Sequence, residues 1–370
     1  MVITMKTYNR LYVDVHVLQT VPPSCVNRDD TGSPKTAVYG GTTRARVSSQ
    51  SWKRAMRMMF KDLHPSEKLG KRTKRIVSMV ADEIRKLDSA IDPEAMAQRI
   101  LEAAGLKIKS VEKGTDALFF LSIGQAKALA VLVAKDPEKI KENQSRETKE
   151  KAQNALKQFP SIDVALFGRM VADDPSLNTD ACAQVAHSIS THKVSNEYDY
   201  FTAVDDLSPE DNTGAGHIGT VEFNSSTLYR YATVDVHNLH KQLQDDTIDA
   251  VCGFIRAFVH SMPTGKQNTF ANRTLPKAVL VTLRADQPVN LVGAFEKPVP
   301  ASGDGYEAAS AERLVAHARS VYKNFAGEPE LSLVAGELLS ELGAVQPIKE
   351  LLDTLAGELR HRLGNGGDVQ

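Results

Sequence analysis

The first clear feature of the chain is an alternation of apolar and polar residues near its start. Every second position is apolar, at Leu11, Val13, Val15 and Val17. A period of two is typical of a half-buried strand, so the chain is predicted to open with a strand. Turn-forming residues are dense between Pro22 and Pro34, which predicts a surface loop.

A second short strand and a helix are predicted after this loop. The strand covers roughly residues 44–48 and follows a pair of glycines. The hydroxyl groups of Ser48, Ser49 and Ser51 are suitable N-caps, so the helix is predicted to begin near Ser51.

The pattern then stays mainly helical to about residue 159. Helices are predicted near residues 51–62, 67–87, 93–104, 116–135 and 137–158. Within the last of them, residues 139–157 are mostly charged, which predicts a solvated surface helix. Strands are predicted again at 221–223, 229–234 and 278–283, with helices near 242–260, 309–323 and 347–362. A block of helices inserted between strands predicts a separate lobe.

Composition changes this picture in one respect. The chain has 370 residues, enough for two or three packed units, and a formal net charge of -1. However, residues 44–75 contain eleven Lys or Arg and only two acidic residues, Asp62 and Glu67. Positive charge is therefore concentrated in one segment, although the whole chain gives no hint of a polyanionic partner.

Cysteine usage and the hydropathy pattern restrict the cellular context. The three cysteines, Cys25, Cys182 and Cys252, are far apart, which excludes a disulfide framework and a CxxC-type zinc site. The start has no basic and then apolar signal segment, and no run of about eighteen apolar residues occurs. We expect a cytoplasmic protein that neither is exported nor spans a membrane.

The helix predicted near residues 51–61 separates apolar from basic side chains. One side carries Trp52, Ala55, Met56, Met59 and Phe60. The other side carries Lys53, Arg54, Arg57 and Lys61. Arg44 and Arg46 share one side of the preceding strand, so both elements can direct cations at a shared groove. With Ser48, Ser49 and Gln50 beside it, this face suits phosphate and sugar contacts. A merely solvated charged face is the alternative.

Residues 193–234 predict a protruding hairpin. Phe201 near its tip could wedge against a base, whereas the alternative is that Tyr198, Tyr200 and Phe201 pack on the core. Gly214–Gly219 matches G-x-G-x-x-G, but it follows a polar turn and opens a strand. We therefore interpret it as a flexible hairpin tip and not as a dinucleotide site.

No convincing catalytic constellation is present in the sequence. The histidine pairs His237/His240 and His187/His192 lack a third ligand or an acidic partner at motif spacing. The acidic pairs Asp29/Asp30 and Asp205/Asp206 lie in turn-like surroundings, where Asp is favoured for backbone hydrogen bonding. We therefore expect no enzyme activity, no metal and no cofactor.

Several segments together resemble the CasC family, the backbone subunit of the type I-E CRISPR Cascade complex. They are residues 23–30 (PSCVNRDD), 40–41 (GG), 44–57 (RARVSSQSWKRAMR), 167–170 (FGRM), 191–192 (TH), 199–207 (DYFTAVDDL), 217–220 (HIGT), 222–223 (EF), 229–232 (YRYA), 265–267 (GKQ) and 294–297 (AFEK). The resemblance extends to about residue 300, and it is loose in the helical lobe and the last seventy residues.

This resemblance implies an α+β, hand-shaped protein. An RRM-like (ferredoxin-like) palm would comprise residues 1–58, 181–194 and 226–370, with helical fingers at 59–180 and a thumb hairpin at 195–225. The implied RNA-binding residues are Arg28, Lys35, Arg44, Arg46, Ser48, Gln50, Lys53, Arg54, Arg57, Met170, Phe201, Thr202 and Lys266. Thr42 and Thr43 depart from the family pattern, since members carry basic residues at that loop.

The implied function is non-catalytic. Copies would assemble along the spacer of a crRNA, grip its backbone and leave bases free to pair with target DNA, together with other Cascade subunits. Two alternatives stay open. One is a CRISPR-type endoribonuclease on the same fold that uses a histidine such as His192 as general base. The other is a generic single-stranded RNA-binding protein.

Overall fold

The computed structural model describes residues 10–87, 91–142, 145–171, 174–203 and 218–364. The strands are β1 (Tyr12–Ser24), β2 (Thr36–Tyr39), β3 (Thr42–Val47), β4 (Gly70–Thr73), β5 (Ile108–Ser110), β6 (Gly114–Thr115), β7 (Phe119–Ser122), β8 (Ala183–Val185), β9 (Ser188–Ser190), β10 (Glu197–Thr202), β11 (Ile218–Asp235), β12 (Ala278–Arg284), β13 (Leu331–Ala335) and β14 (Ala344–Val345). The helices are α1 (Ser49–Leu63), α2 (Ile76–Leu87), α3 (Pro93–Ala103), α4 (Ile123–Lys135), α5 (Pro137–Glu142), α6 (Arg146–Lys157), α7 (Ile162–Phe167), α8 (Val236–Leu243), α9 (Thr247–His260), α10 (Gln267–Phe270), α11 (Glu307–Val321) and α12 (Ile348–Gly364). The fold is α+β, as expected.

The chain divides into two compact units. The first unit comprises Met1–Met56, Val185–Thr233 and Ile255–Gln370, and the second comprises Arg57–Gln184 and Val234–Phe254. The sequence placed residues 234–254 with the palm, whereas their contacts belong to the second unit. The palm, finger and thumb boundaries themselves stay predictions.

A mixed sheet organises the first unit. Its strand order is β14-β13-β12-β1-β11-β9-β3-β2, and β10 pairs with β11. The central strand β1 pairs antiparallel with β12, with Val13 opposite Leu283. Helix α11 contributes Leu314 to an apolar core that also contains Leu18, Tyr229, Leu280 and Phe295.

Strand β1 differs from its expected half-buried state. Asp14 and His16, on the polar side of the alternation, are also 0% exposed. Asp14 accepts hydrogen bonds from the Tyr231 hydroxyl at 2.9 Å and the Val289 amide at 2.8 Å. Both faces of the strand are therefore covered, and hydrogen bonds offset the burial of its polar side chains.

Two glycines connect β2 to β3. Gly40 and Gly41 have φ angles of 57° and 73°, and Tyr39 lies opposite Thr42 in the register. Two successive positive φ values are the geometry of the tight turn that suits hairpins, and glycine adopts it most readily. A Cβ at Gly40 would also lie 1.6 Å from the carbonyl oxygen of Glu296. Strand β3 was predicted from the sequence, whereas β2 was not.

Some expected boundaries were wrong. Pro22 and Pro23 were expected in a loop but lie inside β1. Pairing of β1 with β12 ends at Leu18, before the prolines. The missing N–H groups of Pro22 and Pro23 therefore interrupt no hydrogen bond to β12. The strands expected at residues 221–223 and 229–234 are one strand, β11, and the helix expected at 242–260 is divided into α8 and α9.

Helices dominate the second unit. The side chains of α2, α3, α4 and α6 enclose an apolar core that includes Val80, Ile100, Leu129 and Leu156. The short pairs β4–β7 and β5–β6 lie beside it. Helix α6 was expected to be solvated, yet it buries Ala152 and Leu156 in this core. Among the described residues, none of the helices combines the length and apolar character that a membrane span requires.

Candidate nucleic-acid interface

The loop between β1 and β2 is held rigidly by its own side chains. Asn27 Oδ1 accepts from the Ser48 amide and the Ser48 hydroxyl, both at 2.9 Å. Asp29 accepts from the Thr31 hydroxyl at 2.7 Å and from the amides of Thr31 and Ser33 at 2.9 and 3.0 Å. The hydrogen bond from Thr31 is the main cause that lowers the pKa of Asp29. The turn role predicted for Asp29 is confirmed.

Four cations surround this loop, namely Arg28, Lys35, Arg46 and Lys266, and we call them the loop cluster. Arg28 is exposed, and Lys35 is half-buried. Lys35 and Arg46 line a small hollow together with Asn27, Asn224 and Ser226. Lys266 follows Gly265, whose Cβ would lie 2.2 Å from the Val26 carbonyl oxygen, so only glycine permits this approach.

The electrostatic effect of the loop cluster appears on its titratable neighbours. Burial lowers the pKa of His187, and the charges of Arg46 and Lys35 lower it further. Neutral His187 Nδ1 then accepts from Arg46 Nη1 at 3.2 Å. Arg46 Nε also donates to the Thr36 carbonyl at 3.1 Å. These hydrogen bonds hold the Arg46 side chain at the hollow. Because both partners are neutral, the positive charge of Arg46 is not compensated by them.

Helix α1 begins at Ser49, two residues before the expected start. In its first half Trp52 and Met56 are 0% exposed, while Gln50 and Arg54 are exposed and Lys53 is half-buried. Burial lowers the pKa of Lys53. The predicted separation of apolar and basic faces is confirmed for these residues.

Trp52 is anchored by contacts inside the first unit. Its indole Nε1 donates to the Ser188 hydroxyl at 2.9 Å. The Arg230 guanidinium lies 3.8 Å from the Trp52 ring centroid and 4.4 Å from that of Phe258. These contacts fix the buried side of α1 and therefore the orientation of its exposed face.

Two residues assigned to RNA contact are structural instead. Arg44 is 0% exposed, and its guanidinium donates to the carbonyls of Ser190 at 2.8 Å and Phe295 at 2.9 Å. Its Nε donates to the Thr42 hydroxyl at 3.0 Å. Ser48 is 1% exposed and is committed to Asn27. The prediction that Arg44 and Arg46 direct their charges at a shared groove is therefore wrong for Arg44. Its guanidinium is hydrogen-bonded to main-chain carbonyls from distant segments.

Two further sequence candidates lie in the second unit. Arg57 contacts the buried Asp163 carboxylate at 3.4 Å and lies 4.4 Å from the Phe120 ring centroid. The Arg57 guanidinium is therefore largely occupied by contacts within the protein. Met170 is 84% exposed. The neighbouring Arg169 is buried and donates to the carbonyls of Leu177 and Phe120 at 3.0–3.1 Å, which fixes the backbone that presents Met170.

The β10–β11 hairpin exposes aromatic side chains. Tyr198, Tyr200 and Phe201 are 66%, 63% and 40% exposed, so the alternative in which they pack on the core is wrong. Phe201 lies opposite Gly219, and a Cβ there would be 2.4 Å from the tip of its ring. Thr202 is exposed beside it. Residues 214–217 of the expected glycine-rich tip and the pair Asp205/Asp206 lie outside the described part of the chain, whereas the last two residues of that tip, Ile218 and Gly219, belong to β11.

His192 is fully engaged in hydrogen bonds. Its Nδ1 donates to the Lys193 carbonyl at 2.9 Å, and its Nε2 accepts from the Thr227 amide at 3.1 Å. The ring stacks on Tyr306 at 3.6 Å between centroids, and burial lowers its pKa. Both ring nitrogens are occupied by the backbone, so this histidine holds strands together. Within the described ranges, no three His, Cys, Asp or Glu side chains form a metal-binding group.

The residues that support the site were not predicted from the sequence. Asn27 accepts from Ser48, Arg230 lies over the Trp52 ring, and Gly265 lies against the Val26 carbonyl, so these residues fix the segments that carry the cations. Only Asn27 carried a signal, because asparagine in a turn-rich stretch favours hydrogen bonds to the backbone.

Comparisons with known proteins extend over nearly the whole chain. The model of the family described as CT1975-like protein matches residues 13–356. A solved chain described as "CRISPR RNA-guided surveillance complex, pre-nicking" is 33% identical, with a TM-score of 0.79, over 94% of this chain and 99% of that chain. Another, described as "CRISPR RNA-guided surveillance complex", is 29% identical, with a TM-score of 0.62, over the same shares of 94% and 99%. No curated protein sequence matches.

Proposed function

The chain belongs to the CT1975-like protein family, and from this premise we propose that it is a non-catalytic RNA-binding backbone subunit of a CRISPR surveillance complex. Copies of the chain polymerise along the spacer of a crRNA, grip the RNA backbone and present bases for pairing with target DNA. The partners are the crRNA, target DNA, further copies of the chain and other subunits of the complex, in the cytoplasm. In finer detail we propose the CasC subunit of a type I-E Cascade. The two solved relatives, described as chains of CRISPR RNA-guided surveillance complexes, support the assignment to such a complex.

One observation carries the RNA-binding part of the proposal. Arg28, Lys35 and Arg54 are presented by a loop, a strand end and a helix of the first unit, and no carboxylate among the described residues forms an ion pair with them. Cations that lack an acidic partner attract phosphates and release the counterions of the nucleic acid when they bind. Such contacts position the strand without reading its sequence, which leaves base pairing to provide specificity.

The proposed roles of the fold follow the same division. The sheet of the first unit acts as an RRM-like palm, the helices of the second unit as fingers, and the β10–β11 hairpin as a thumb. Exposed aromatic and apolar side chains at Phe201 and Met170 support contacts with bases, since exposed rings on a strand provide stacking surfaces.

Assembly on RNA is the experiment that tests this proposal. The purified full chain is mixed with RNAs of increasing length, and the mass of each complex is measured. We expect the number of bound copies to rise in proportion to RNA length. One copy per RNA at every length would instead indicate a generic single-stranded RNA-binding protein.

A cleavage assay distinguishes the enzyme alternative. Repeat-containing RNA is incubated with the wild-type chain and with His192→Ala. We expect intact RNA in both reactions, because the backbone occupies both nitrogens of His192. Specific cleavage that His192→Ala abolishes would establish the endoribonuclease instead.

A further inference from the structure

A cavity with a volume of about 680 Å³ lies in the second unit. Cavities of this size are typical of sites that bind small molecules. The turn after α6, at residues 157–162, and the end of α8, at residues 241–244, form much of its wall, and the start of α4 contributes Ser122 and Gly124. None of the residues assigned to RNA contact is among its described lining residues, so the proposed function leaves the cavity without a role.

Backbone strain is concentrated at this cavity. Among the described residues, four residues other than glycine have a φ angle in the left-handed region, and two of them line the cavity, namely Phe159 with φ of 52° and Gln244 with φ of 50°. The Ser122 hydroxyl holds the first by donating to the Phe159 carbonyl at 2.7 Å. The Thr247 hydroxyl holds the second by donating to the Gln244 carbonyl at 2.6 Å. Strained residues that their neighbours maintain in this way are concentrated at ligand sites.

The Phe159 ring provides an open aromatic surface in the cavity. Phe159 is 64% exposed, whereas most phenylalanine side chains are buried. A Cβ on Gly124 would lie 3.0 Å from the Phe159 Cβ, so the start of α4 packs against this residue and fixes its position. Planar ligands such as nucleobases stack on aromatic rings that are presented in this way.

Two lysines supply positive charge to the same cavity. Three lysines line it, of which Lys68 forms an ion pair with Asp246 at 2.9 Å. Lys157 and Lys241 are exposed, and neither forms an ion pair with a carboxylate in the described part of the chain. Glu67 is the remaining acidic residue of the described wall, so the lining has an excess of one positive charge. Such an excess favours a ligand that carries a phosphate group.

A side-chain amide of the wall has a buried oxygen without a donor. Gln242 Nε2 donates to Cys182 Sγ at 3.1 Å, whereas Gln242 Oε1 is buried and accepts no hydrogen bond from the described residues. A buried acceptor in this state reduces stability, and an amino or hydroxyl group of a ligand would satisfy it. Two more glutamines, Gln158 and Gln244, line the same cavity. Glutamine is one of the side chains that pair with the edge of adenine.

We propose that this cavity binds a nucleoside monophosphate. The base stacks on the Phe159 ring, the phosphate contacts Lys157 and Lys241, and Gln242 Oε1 accepts from an amino group of the base. Inorganic phosphate would leave the ring and the amide unused, and an uncharged apolar ligand would desolvate both lysines without compensation. This site goes beyond the proposed function, because no residue of the loop cluster takes part in it.

Calorimetric titration of the full chain compares three ligands, namely adenosine 5′-monophosphate, adenosine and ribose 5-phosphate, and weak binding is measured by competition. The wild type should bind the monophosphate about tenfold or more tightly than either fragment, since only the monophosphate contacts both the ring and the lysines. Lys157→Ala with Lys241→Ala should lose roughly tenfold in affinity for the monophosphate and for ribose 5-phosphate, with the affinity for adenosine unchanged.

Phe159→Leu should give the complementary pattern, because it keeps an apolar side chain and removes the flat ring. Affinity for the monophosphate and for adenosine should fall roughly fivefold or more, and affinity for ribose 5-phosphate should not change. The matched control, Lys323→Ala with Lys349→Ala, removes the same charge as the lysine variant from exposed residues of the first unit. It should bind all three ligands like the wild type.

A nucleoside monophosphate can be a free molecule or the end of a strand, and a 5′-phosphorylated tetranucleotide distinguishes the two sources. Displacement of adenosine 5′-monophosphate by the tetranucleotide at a similar concentration assigns the site to the end of a strand. Failure to displace it assigns the site to free mononucleotides. Both outcomes support the proposed ligand chemistry.

Equal affinity of the wild type for the monophosphate and for ribose 5-phosphate would refute the proposal, since an anion alone would then be sufficient. Wild-type affinity for the monophosphate in both the lysine variant and Phe159→Leu would also refute it. Guide-RNA affinity is measured on the same proteins and should not change in either variant. A parallel loss of RNA affinity would refute the proposal, because the cavity would then lie on the path of the RNA. Failure of the wild type to bind guide RNA would refute only the proposed function.

Discussion

Inside the first unit, Arg44, Arg230 and Arg284 are at most 2% exposed and donate to main-chain carbonyl groups. On the loop cluster of the same unit, Arg28 is exposed and Lys35 is half-buried, with no ion pair to a described carboxylate. The two regions use the same charge for different purposes. The buried arginines satisfy carbonyl oxygens that would otherwise lack a partner, whereas the loop cluster leaves its charge available to a phosphate.

The type of a residue within a motif therefore does not determine its role. Arg44 and Arg46 are two positions apart on β3, yet only Arg46 lies at the polar hollow. Whether an arginine is buried or stays available to a ligand depends on the carbonyl groups near it. Mutations that affect stability and RNA binding separately test this dependence.

The largest expected effect concerns His16 in the buried region. Burial lowers the pKa of His16 to about 3 from 6.5, and the charge of Arg284 lowers it further. The unfolded chain takes up this proton below pH 6.5 while the folded chain does not, so His16 reduces stability as the pH falls. We expect His16→Gln to gain roughly 3 kcal/mol relative to the wild type between pH 7 and pH 4. Urea unfolding across this range provides the measurement.

Asp14 acts with the opposite sign over part of the same range. Burial raises the pKa of Asp14 to about 6 from 3.8. Its contribution to the free energy of unfolding is therefore complete below pH 3.8 and is lost as the pH rises through 6. Comparing His16→Gln with the wild type at each pH cancels most of the Asp14 effect, and Asp14→Asn serves as the control. A difference that stays constant with pH would contradict a neutral buried His16.

Replacement of Arg230 by methionine should cost about 3 kcal/mol of the free energy of unfolding. The change removes the hydrogen bond to Gln19 Oε1 at 2.5 Å and the bond to the Phe258 carbonyl, and it leaves both acceptors buried. The midpoint of urea unfolding should shift without a change in slope. A loss below about 1 kcal/mol would show that the acceptors find other partners.

Arg44→Met should cost about 2 kcal/mol, because the carbonyls of Ser190, Phe295 and Glu296 lose their donor. The salt slope of RNA binding should not change, since no phosphate contact is removed. Unfolding and RNA titrations on one preparation measure both. A flatter salt slope in this variant would show that Arg44 contacts a phosphate of the RNA.

Arg54→Ala should have the smallest effect on stability, within about 0.5 kcal/mol. The side chain is exposed, so its removal leaves no buried acceptor. The same unfolding assay applies, with Arg44→Met as the contrasting variant. A loss as large as that of Arg44→Met would contradict the division between the two regions.

Local patterns predicted much of the fold. The alternation before Val17 and the two faces of α1 have a clear period, so β1 and the helix were foreseen. Short strands such as β2 and β4 carry too few residues to show a period. Strand β4 was hidden inside a predicted helix for this reason.

The candidate site was predictable only in part. Exposed cations such as Arg28 and Arg54 follow from charge and helical spacing. The burial of Arg44 does not, because its acceptor at Phe295 is 251 positions away in sequence. His192 was considered as a base for the same reason, since the Thr227 amide that occupies its Nε2 is brought close only by the tertiary fold.

The salt dependence of RNA binding shows whether the exposed cations of the first unit contact phosphates. The triple variant Arg28→Ala, Lys35→Ala, Arg54→Ala is compared with the wild type and with the control Lys323→Ala, Lys349→Ala, Arg360→Ala on one single-stranded RNA. The account predicts a slope flatter by about 0.7 for each lost phosphate contact, and an unchanged slope for the control. A triple variant with the wild-type slope would contradict the account.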